Sequence, residues 1–303
     1  MQPLIRCLGL TKRFRSLTAV DSLDLDVRAG DVFGFLGPNG AGKSTTLRMM
    51  VGLIRPTSGS VTLFGHDVWR DRTRALRNVG VMIESPAFYK YLSGRDNLYM
   101  LANTGGHASA KEVTEALDTV GLLDRAGDKV KSYSQGMRQR LGIALAIIGK
   151  PELVLLDEPT NGLDPQGMKE VRDLIRTLST DHGITVFLSS HLLYEVEQVC
   201  TRIAVVDRGK VLKSGDVQEL LRETNTYRLT VDSVAKSREV LDRMGAVGIV
   251  RESDGVLDVH MDGMDPASIN RALVEAGVGV SGICPIRTSL EELYLGLVNG
   301  GDC

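Results

Sequence analysis

The feature that most constrains how this chain folds is a glycine-rich run, Gly-Pro-Asn-Gly-Ala-Gly-Lys-Ser-Thr, at residues 37–45. The run fits the phosphate-loop pattern, in which Gly37 and Gly42 bracket a turn that Lys43 and Ser44 close. The apolar stretch before it predicts a buried strand, and the residues after it predict a helix. This order aims successive backbone N–H groups and the start of the helix at one anion. The context therefore favours a nucleotide-phosphate site over a chance glycine-rich turn.

Every residue of this loop is a candidate nucleotide contact: Gly37, Pro38, Asn39, Gly40, Ala41, Gly42, Lys43, Ser44 and Thr45. Lys43 is expected to reach the outer phosphates and to act in catalysis, and the hydroxyl of Ser44 is expected to bind Mg²⁺. The loop alone predicts a nucleotide without saying what the nucleotide is for, since many unrelated NTPases and kinases share it.

The composition narrows the possible partners. The 303 residues allow one large domain and a smaller one, and the mixture of 43% hydrophobic and 24% charged residues is that of an ordinary globular protein. The net charge of -2 gives no electrostatic reason to expect nucleic acid as a partner. The first residues lack the apolar core of a signal peptide, and no apolar run is long enough to cross a bilayer. Any membrane role is therefore expected to require a partner protein.

The four cysteines, Cys7, Cys200, Cys284 and Cys303, are scattered along the chain. They do not have the spacing of a metal site, and a chain of this length does not need disulfides to fold. Reduced thiols in the cytosol are the expectation.

Alternation of apolar and charged residues between positions 4 and 28 predicts a half-buried strand in an antiparallel layer. Further short apolar strands are predicted at 61–64, 79–83, 153–156, 184–188 and 203–206. Helices are predicted through most of 94–149 and at 165–178 and 192–199. Strands that alternate with helices predict an α/β fold with a parallel sheet core, and the rest forms an antiparallel β subdomain and a helical subdomain.

The large domain is predicted at residues 1–222 and a small α+β accessory domain at 223–303. The smaller one reads strand, helix, strand, strand, helix, strand, which is the ferredoxin-like order, and a last helix follows. His260 stands near Asp258 and Asp262, but exposed positions of a strand explain this pattern better than a metal site. Regulation, dimerisation and simple packing all remain open for this domain.

The strand predicted at 153–156 ends in two carboxylates, Asp157 and Glu158. The carboxyl ends of such strands are where α/β sheets bind ligands. Asp157 is expected to hold Mg²⁺, and Glu158 is expected to orient or deprotonate the attacking water. The alternative is a strand end with two solvated acids, and the phosphate loop favours the functional interpretation.

Residues 133–137 read Tyr-Ser-Gln-Gly-Met, and Ser134 is a good N-cap for the helix behind it. Ser134 and Gly136 leave the backbone accessible to a phosphate in front of the helix. On physical grounds alone, a capped core helix explains this segment better than a ligand site.

These motifs, with Asn-Gly-Leu-Asp at 161–164 and Ser-Ser-His at 189–191, stand in the order found in ABC-transporter ATPase subunits. They resemble that family's Walker A, signature, Walker B, D-loop and switch-histidine motifs, and the resemblance covers roughly residues 4–220. It implies a P-loop NTPase fold of the ABC ATPase type, with ATP and Mg²⁺ as cofactors.

The resemblance also implies roles for single residues. Ser134 and Gly136 would contact the γ-phosphate of ATP held by a second copy, and His191 would be a catalytic switch residue that touches the same phosphate. Asp164 would help to organise the dimer interface, and it also suits the N-cap of the helix that opens at Pro165.

Phe14 stands where the family has an aromatic residue that stacks on adenine, and Val20 would pack beside the base. A core aromatic is the alternative for Phe14. The chain departs from the usual motifs in two places. Glu84 replaces the Q-loop glutamine, and the signature contains Gln135 and Met137. Both departures resemble the branch that includes bacitracin, lantibiotic and anthracycline-type exporters.

Glu84, Pro86, Phe88 and Tyr89 lie in the segment that meets the membrane subunit in similar proteins. An aromatic, proline-containing loop suits a docking surface, and a buried loop of the ATPase's own core is the alternative.

Taken together, the resemblance implies an ATP-hydrolysing subunit, peripheral on the cytoplasmic face of the cell membrane, that pairs with a second copy. It would drive a separate membrane-spanning exporter of a drug, a peptide antibiotic or a lipid-like substrate. The alternative is a soluble ABC-type ATPase that acts on ribosomes or nucleic acid. The single ATPase cassette, the lack of heptad repeats and the net charge disfavour it.

Overall fold

The structure is a computed structural model, and it describes residues 3–84, 87–105, 108–221, 226–245, 247–261, 264–286 and 289–299. The chain divides into two compact units, Met1–Val217 and Gln218–Cys303. The domain boundary predicted between residues 222 and 223 lies outside the described residues and stays a prediction.

The first unit mixes strands and helices. Its strands are β1 Ile5–Phe14, β2 Leu17–Val27, β3 Val32–Leu36, β4 Ser58–Leu63, β5 His66–Asp67, β6 Val79–Met82, β7 Leu153–Asp157, β8 Thr185–Ser190, β9 Arg202–Asp207 and β10 Lys210–Asp216. Its helices are α1 Lys43–Met50, α2 Arg72–Ala75, α3 Gly94–Gly105, α4 Ala110–Thr119, α5 Gln135–Ile147, α6 Pro165–Thr180 and α7 Leu193–Val199. A short helix, α8 Val217–Leu220, lies at the division between the units.

A six-stranded sheet in the order β10-β9-β3-β8-β7-β6 forms the core of the first unit. All of its strands run parallel except β10, which forms a hairpin with β9. Every residue of β3, β7 and β8 is buried, as expected for parallel strands with helices on both faces. Because parallel strands end at the same edge, β3, β7 and β8 bring the phosphate loop, the two acids and the segment after β8 together.

The second sheet of this unit is antiparallel and has the order β2-β1-β4-β5. Leu23, Leu25 and Val27 of β2 are buried and alternate with exposed residues, as the sequence predicts. The single half-buried strand predicted between 4 and 28 is in fact two strands, because a turn with a left-handed φ of 51° at Arg15 reverses the chain. The buried face of this sheet packs on a cluster that includes Met49 of α1.

The predicted helical subdomain contains α3, α4 and α5. Ser109 caps α4 in a capping box with Glu112, which satisfies backbone N–H groups at the start of the helix. Ser134 caps α5 through its hydroxyl, which accepts the N–H of Met137. The cap at Ser134 explains why α5 begins where the sequence predicts, and the cap at Ser109 fixes the start of α4.

The second unit is built on a four-stranded antiparallel sheet in the order β12-β13-β11-β14. Its elements are β11 Thr226–Val231, α9 Val234–Met244, β12 Val247–Ser253, β13 Val256–Met261, α10 Pro266–Glu275, β14 Val280–Pro285 and α11 Leu290–Asn299. Leu229 and Val259 of the sheet and Leu241 and Ile269 of the helices share one core. This is the strand order that a split βαβ arrangement produces.

Two hydrogen bonds from Arg228 engage the carboxylate of Asp258, at 2.8 and 2.9 Å. They hold the pKa of Asp258 below its usual range. Asp258 is buried, so the prediction of an exposed strand position is wrong for it, and its carboxylate instead serves the ion pair with Arg228. Asp262 lies outside the described residues. The described parts of both units contain no group of three or more side chains that could hold a metal ion.

Cys7 and Cys200 are buried free thiols, and burial raises the pKa of both. Cys284 is free and exposed, and Cys303 lies outside the described residues. None of the helices that the structure describes is long and apolar enough to cross a membrane.

Candidate functional site

The phosphate loop joins β3 to α1 in a tight turn. Gly40 and Gly42 adopt φ angles of 86° and 97°, which lie in the left-handed region that favours glycine. A Cβ at Gly42 would lie 2.3 Å from the carbonyl oxygen of Ala19, and a Cβ at Gly37 would lie 2.3 Å from that of Val206. The loop therefore needs glycine at both positions, and α1 begins directly after it with its positive end at the loop.

Lys43 is only 6% exposed, and its amino group is fully engaged. Nζ donates to the carbonyl oxygens of Gly37 at 2.8 Å and Pro38 at 3.2 Å, and it lies 3.1 Å from Oε1 of Glu158. These three acceptors match the three donors of an ammonium group. A phosphate that entered the loop would compete with the Glu158 carboxylate for this charge.

Glu158 connects Lys43 to His191. Its second oxygen, Oε2, lies 2.8 Å from Nδ1 of His191, and its backbone N–H donates to the hydroxyl of Ser189 at 3.0 Å. Its φ angle of 49° is left-handed, which is uncommon for a residue with a side chain. Such backbone strain clusters at functional sites, and here it falls on the predicted catalytic carboxylate.

Asp157, at the end of β7, is buried, and its Oδ1 accepts a hydrogen bond from the Ser189 hydroxyl at 2.6 Å. Ser44 lies in the first turn of α1. A carboxylate and a hydroxyl are oxygen ligands of the kind that Mg²⁺ prefers, and Mg²⁺ usually takes only one or two ligands from the protein. The donors therefore fit this metal.

The 133–137 segment forms the start of α5. The Ser134 hydroxyl accepts the N–H of Met137 at 3.1 Å, so the capping role that physical reasoning favours is present. The Tyr133 hydroxyl donates to the carbonyl oxygen of Arg125 at 2.7 Å, and burial raises the pKa of Tyr133. Ser134 and Gln135 remain exposed and Gly136 is half-buried, so this helix start is accessible from outside.

Asp164 caps α6, because its Oδ1 accepts the N–H of Gly167 at 3.1 Å. The neighbouring Gly162 has a left-handed φ of 72°, and a Cβ there would lie 2.6 Å from Nε2 of Gln135. Nε2 of Gln135 also lies 3.5 Å from the carbonyl oxygen of Asn161. Gln135, one of the two unusual signature residues, thus contacts the 161–164 segment of its own chain.

Phe14 has an exposed ring at the end of β1, as predicted, and Nζ of Lys12 lies 4.9 Å from the ring centroid. Val20 requires a correction, because its side chain is fully buried. It lies under the phosphate loop, with its Cγ2 3.3 Å from the position of a Cβ on Gly42. This structure therefore offers Phe14, but not Val20, to a base.

Glu84 has a left-handed φ of 66°, and its carboxylate pairs with the guanidinium of Arg48 on α1. Pro86 lies outside the described residues. Phe88 is half-buried, whereas Tyr89 is exposed, and the amide side chain of buried Asn97 holds the backbone of Tyr89 at 2.8 and 3.1 Å. The segment is thus a surface loop fixed from beneath rather than a buried one.

Comparison with known proteins decides the family. The model of the ABC transporter family matches residues 20–161. The chain is 38% identical to the bacitracin transport ATP-binding protein BcrA of Bacillus licheniformis, over 99% of both chains. It is 39% identical to the daunorubicin/doxorubicin resistance ATP-binding protein DrrA of Streptomyces peucetius, over 97% of this chain and 92% of that one. The chain belongs to the ABC transporter ATP-binding proteins.

Solved structures agree with this assignment at the level of the fold. The cbiO1 protein of Clostridium perfringens, part of the ABC transporter complex cbiONQ, superposes with a TM-score of 0.65. It is 24% identical and matches 73% of this chain and 91% of its own. As an ABC ATPase the present chain binds and hydrolyses ATP, and the expected P-loop NTPase fold is confirmed.

Two contacts of this ABC ATPase site are missed by sequence reasoning. Ser189 touches both Asp157 and the backbone of Glu158, although the sequence marks it only as part of the Ser-Ser-His motif. Arg48 pairs with Glu84, and the one available signal is the opposite charge of the two residues. Contacts between residues so distant in sequence depend on which strands are neighbours in the sheet.

Proposed function

We propose that this chain energises a separate membrane-spanning exporter by hydrolysing ATP between two copies of itself. The observation that carries the proposal is the contact of Lys43, Glu158 and His191 at the phosphate loop, with distances of 3.1 and 2.8 Å. This contact brings three groups together: the Lys43 cation for the outer phosphates, the Glu158 carboxylate for the attacking water, and the His191 imidazole.

In this proposal, each residue acts through the position that it already holds. The backbone N–H groups of residues 37–45 and the start of α1 bind the phosphates. When a phosphate displaces the Glu158 carboxylate from Lys43, the carboxylate becomes free to accept a proton from water. His191 remains in contact with that carboxylate and orients it toward the γ-phosphate.

Asp157 and the hydroxyl of Ser44 would hold Mg²⁺. Bound there, the ion would neutralise charge on the outer phosphates. The hydrogen bond from Ser189 fixes one oxygen of Asp157 and leaves the other oxygen for the metal or its water.

A second copy completes the site in this proposal. Ser134 and Gly136 lie at an accessible helix start, which suits the γ-phosphate of ATP held by a partner copy. The contact of Gln135 with Asn161 would couple this helix start to Asp164 at the same interface. Phe14 would stack on the adenine from the exposed end of β1.

The proposed docking surface for the membrane-spanning subunit lies next to Glu84 and includes Phe88, Tyr89 and Tyr91. Tyr91 is 79% exposed, and the neighbouring α3 exposes Tyr99. Exposed aromatic residues on a fixed loop are typical of protein interfaces. The subunit would then lie peripherally on the cytoplasmic face of the membrane.

The exported substrate is proposed to be a drug, a peptide antibiotic or a lipid-like molecule. The support is the likeness to BcrA and DrrA, whose names give bacitracin transport and daunorubicin/doxorubicin resistance. Glu84 at the Q-loop position also resembles the branch of bacitracin, lantibiotic and anthracycline-type exporters, and so supports the same class of substrate.

Affinity purification of the full chain from a detergent extract of its membranes tests this proposal. A membrane-spanning protein should co-purify, and the complex should hydrolyse ATP. Replacing Tyr89 and Tyr91 by Ala should reduce the recovery of that protein, because the change removes the exposed rings of the docking surface. Tyr194→Ala is the matched control, since Tyr194 is 67% exposed on α7, which packs against α6 and β3.

Recovery of ribosomes or nucleic acid without a membrane protein would favour the soluble-ATPase alternative. Equal recovery from the double Tyr variant and the control would remove the docking role from the 89–91 segment, although the ATPase assignment would stand.

A further inference from the structure

Four exposed arginines follow one another in the segment between β5 and β6. Together with the adjacent Trp69, we call them the arginine patch: Trp69, Arg70, Arg72, Arg74 and Arg77. All five side chains are exposed, and Arg74 is 72% exposed. The chain as a whole carries a net charge of -2, so this is a local concentration of positive charge.

The backbone under the patch is fixed. Val68 and Ala75 are fully buried and anchor the segment to the core. The carboxylate of Asp67 accepts the N–H groups of Trp69 and Arg70 at 2.8 and 2.9 Å, which holds the turn. The arginines therefore project from a defined surface and not from a loose tail.

Little negative charge opposes these arginines. Asp71 lies 3.4 Å from both Arg74 and His66, so it neutralises part of the patch. For Arg70, Arg72 and Arg77, the described part of the chain provides no carboxylate within ion-pair distance. The patch thus keeps a surplus of positive charge that an external anion can satisfy.

A cleft of about 250 Å³ opens beside the patch. Its lining residues are Phe64, His66, Arg74, Arg77 and Asn78. No carboxylate lines it, although Glu152 accepts a hydrogen bond from the Asn78 amide nearby at 2.6 Å. Asp71 pairs with Arg74 and His66, so Arg77 supplies the unopposed positive charge of the cleft. The guanidinium groups of Arg74 and Arg77 supply hydrogen-bond donors that suit one phosphate group.

Apolar side chains stand next to the charges. Leu53 is 60% exposed, and Arg72 lies against the neighbouring Gly52, with Nε 3.5 Å from the position of a Cβ there. Trp69 is exposed at the start of the patch. An exposed tryptophan and leucine beside arginines is the combination that suits the headgroup region of a bilayer.

We propose that the arginine patch binds the headgroups of anionic phospholipids, with one lipid phosphate in the cleft beside Arg74 and Arg77. The proposal rests on the membrane location given under the proposed function, and it adds a direct contact between this subunit and the lipid surface. Each arginine near an anionic leaflet contributes to membrane binding, and the contributions together turn a weak contact into a measurable one.

Trp69 makes the test specific, because it is the only tryptophan in the chain. The purified full chain is mixed with vesicles of phosphatidylcholine alone, or of phosphatidylcholine with an equal part of phosphatidylglycerol. Binding to the anionic vesicles should shift the Trp69 emission to shorter wavelength, and lipids with brominated acyl chains should quench it. Salt at about 0.5 M should abolish the binding, because it screens exposed charges.

Replacing the four arginines by Gln should lower the partition coefficient on anionic vesicles by roughly a hundredfold. Replacing them by Lys should preserve most of the binding, because the charge is kept. The matched control removes four exposed basic residues elsewhere: Lys111→Gln, Lys236→Gln, Arg243→Gln and Arg271→Gln. The control changes the net charge equally and should bind like the wild type. ATP affinity, measured on all variants, shows that each is folded.

Three results would overturn the proposal: equal binding by the Gln variant and the control, binding to vesicles without any change in Trp69 emission, or equal binding to neutral vesicles. Loss of co-purification with the membrane-spanning subunit, without loss of vesicle binding, would assign the patch to an acidic protein segment instead. Vesicle binding needs neither ATP hydrolysis nor the exporter, so its failure leaves the proposed function untouched.

Discussion

The ion pair between Lys43 and Glu158 makes the Glu158→Gln variant informative in two separate ways. Glu158 is 19% exposed and Lys43 only 6%, so the pair is shielded from solvent. In the absence of nucleotide, the substitution replaces a charged partner of Nζ with a neutral one at the same position. Two carbonyl oxygens, of Gly37 and Pro38, remain as acceptors.

The expected loss of stability without nucleotide follows from these contacts. Hydrogen bonds to charged groups contribute about 1.5–3 kcal/mol, and the two remaining carbonyls favour the lower part of this range. A loss of about 2 kcal/mol lowers the Tm of a unit of this size by about 4–8 °C. ATP with Mg²⁺ supplies a new anion to Lys43, so it should reduce the difference between variant and wild type.

Turnover should respond independently of stability. Removing a general base lowers the rate of hydrolysis by about 10²–10⁴-fold. Binding of ATP should persist, and the variant should accumulate as an ATP-dependent dimer because hydrolysis no longer separates the copies. The assays are phosphate release, thermal unfolding with and without ATP and Mg²⁺, and molar mass by light scattering.

Glu152→Gln is the matched control, because Glu152 precedes β7 at the end opposite to Glu158 and its carboxylate accepts a hydrogen bond from Asn78. It should leave turnover near that of the wild type. If Glu158→Gln turns over at a rate close to wild type, Glu158 is not the base. An unchanged Tm without nucleotide would refute the contribution assigned to the Lys43 pair.

Two further predictions concern stability. Gly42→Ala should lower the free energy of unfolding of the first unit by at least about 3 kcal/mol, because its Cβ would clash with the carbonyl oxygen of Ala19. Gly40→Ala is the control: its Cβ would meet open space, so it should lower that free energy by only about 1 kcal/mol. Denaturant unfolding measures both. The Arg228 guanidinium lowers the pKa of Asp258 in the folded state. The pair therefore stabilises the second unit fully at pH values above the unfolded-state pKa of Asp, about 3.9. This contribution is lost as the pH falls through the lower pKa that Asp258 has in the folded state. Asp258→Asn should therefore be less stable than wild type at neutral pH, and the two denaturant curves should converge in acid; a constant difference at every pH would contradict the assignment.

Much of the fold could be predicted from local pattern. The buried runs that became β3, β7 and β8 and the caps at Ser109 and Ser134 are signals within a few residues of one another. Helix boundaries and strand types follow from such signals, because capping and burial alternation act over one or two turns. The reversal at Arg15 was missed, because a left-handed turn at a non-glycine residue leaves no strong mark in the sequence.

Parts of the site could not be predicted, for a related reason. The packing of Gly42 against Ala19 hides Val20 beneath the loop, which no pattern around residue 20 indicates. The pairing of Arg48 with Glu84 requires α1 and the loop after β6 to be neighbours in space. Such contacts depend on the order of strands in the sheet.

The sequence by itself determined the chemistry: a glycine loop that can bind phosphate, acids at the end of a buried strand, and a histidine after another strand. Only the tertiary structure decided that Lys43, Glu158 and His191 are in contact, and that Arg74 and Arg77 line one cleft. The reason is physical. Residue types and short spacings fix what a segment can bind, whereas the pairing of β3 with β8 and of β8 with β7 sets the distances between those segments.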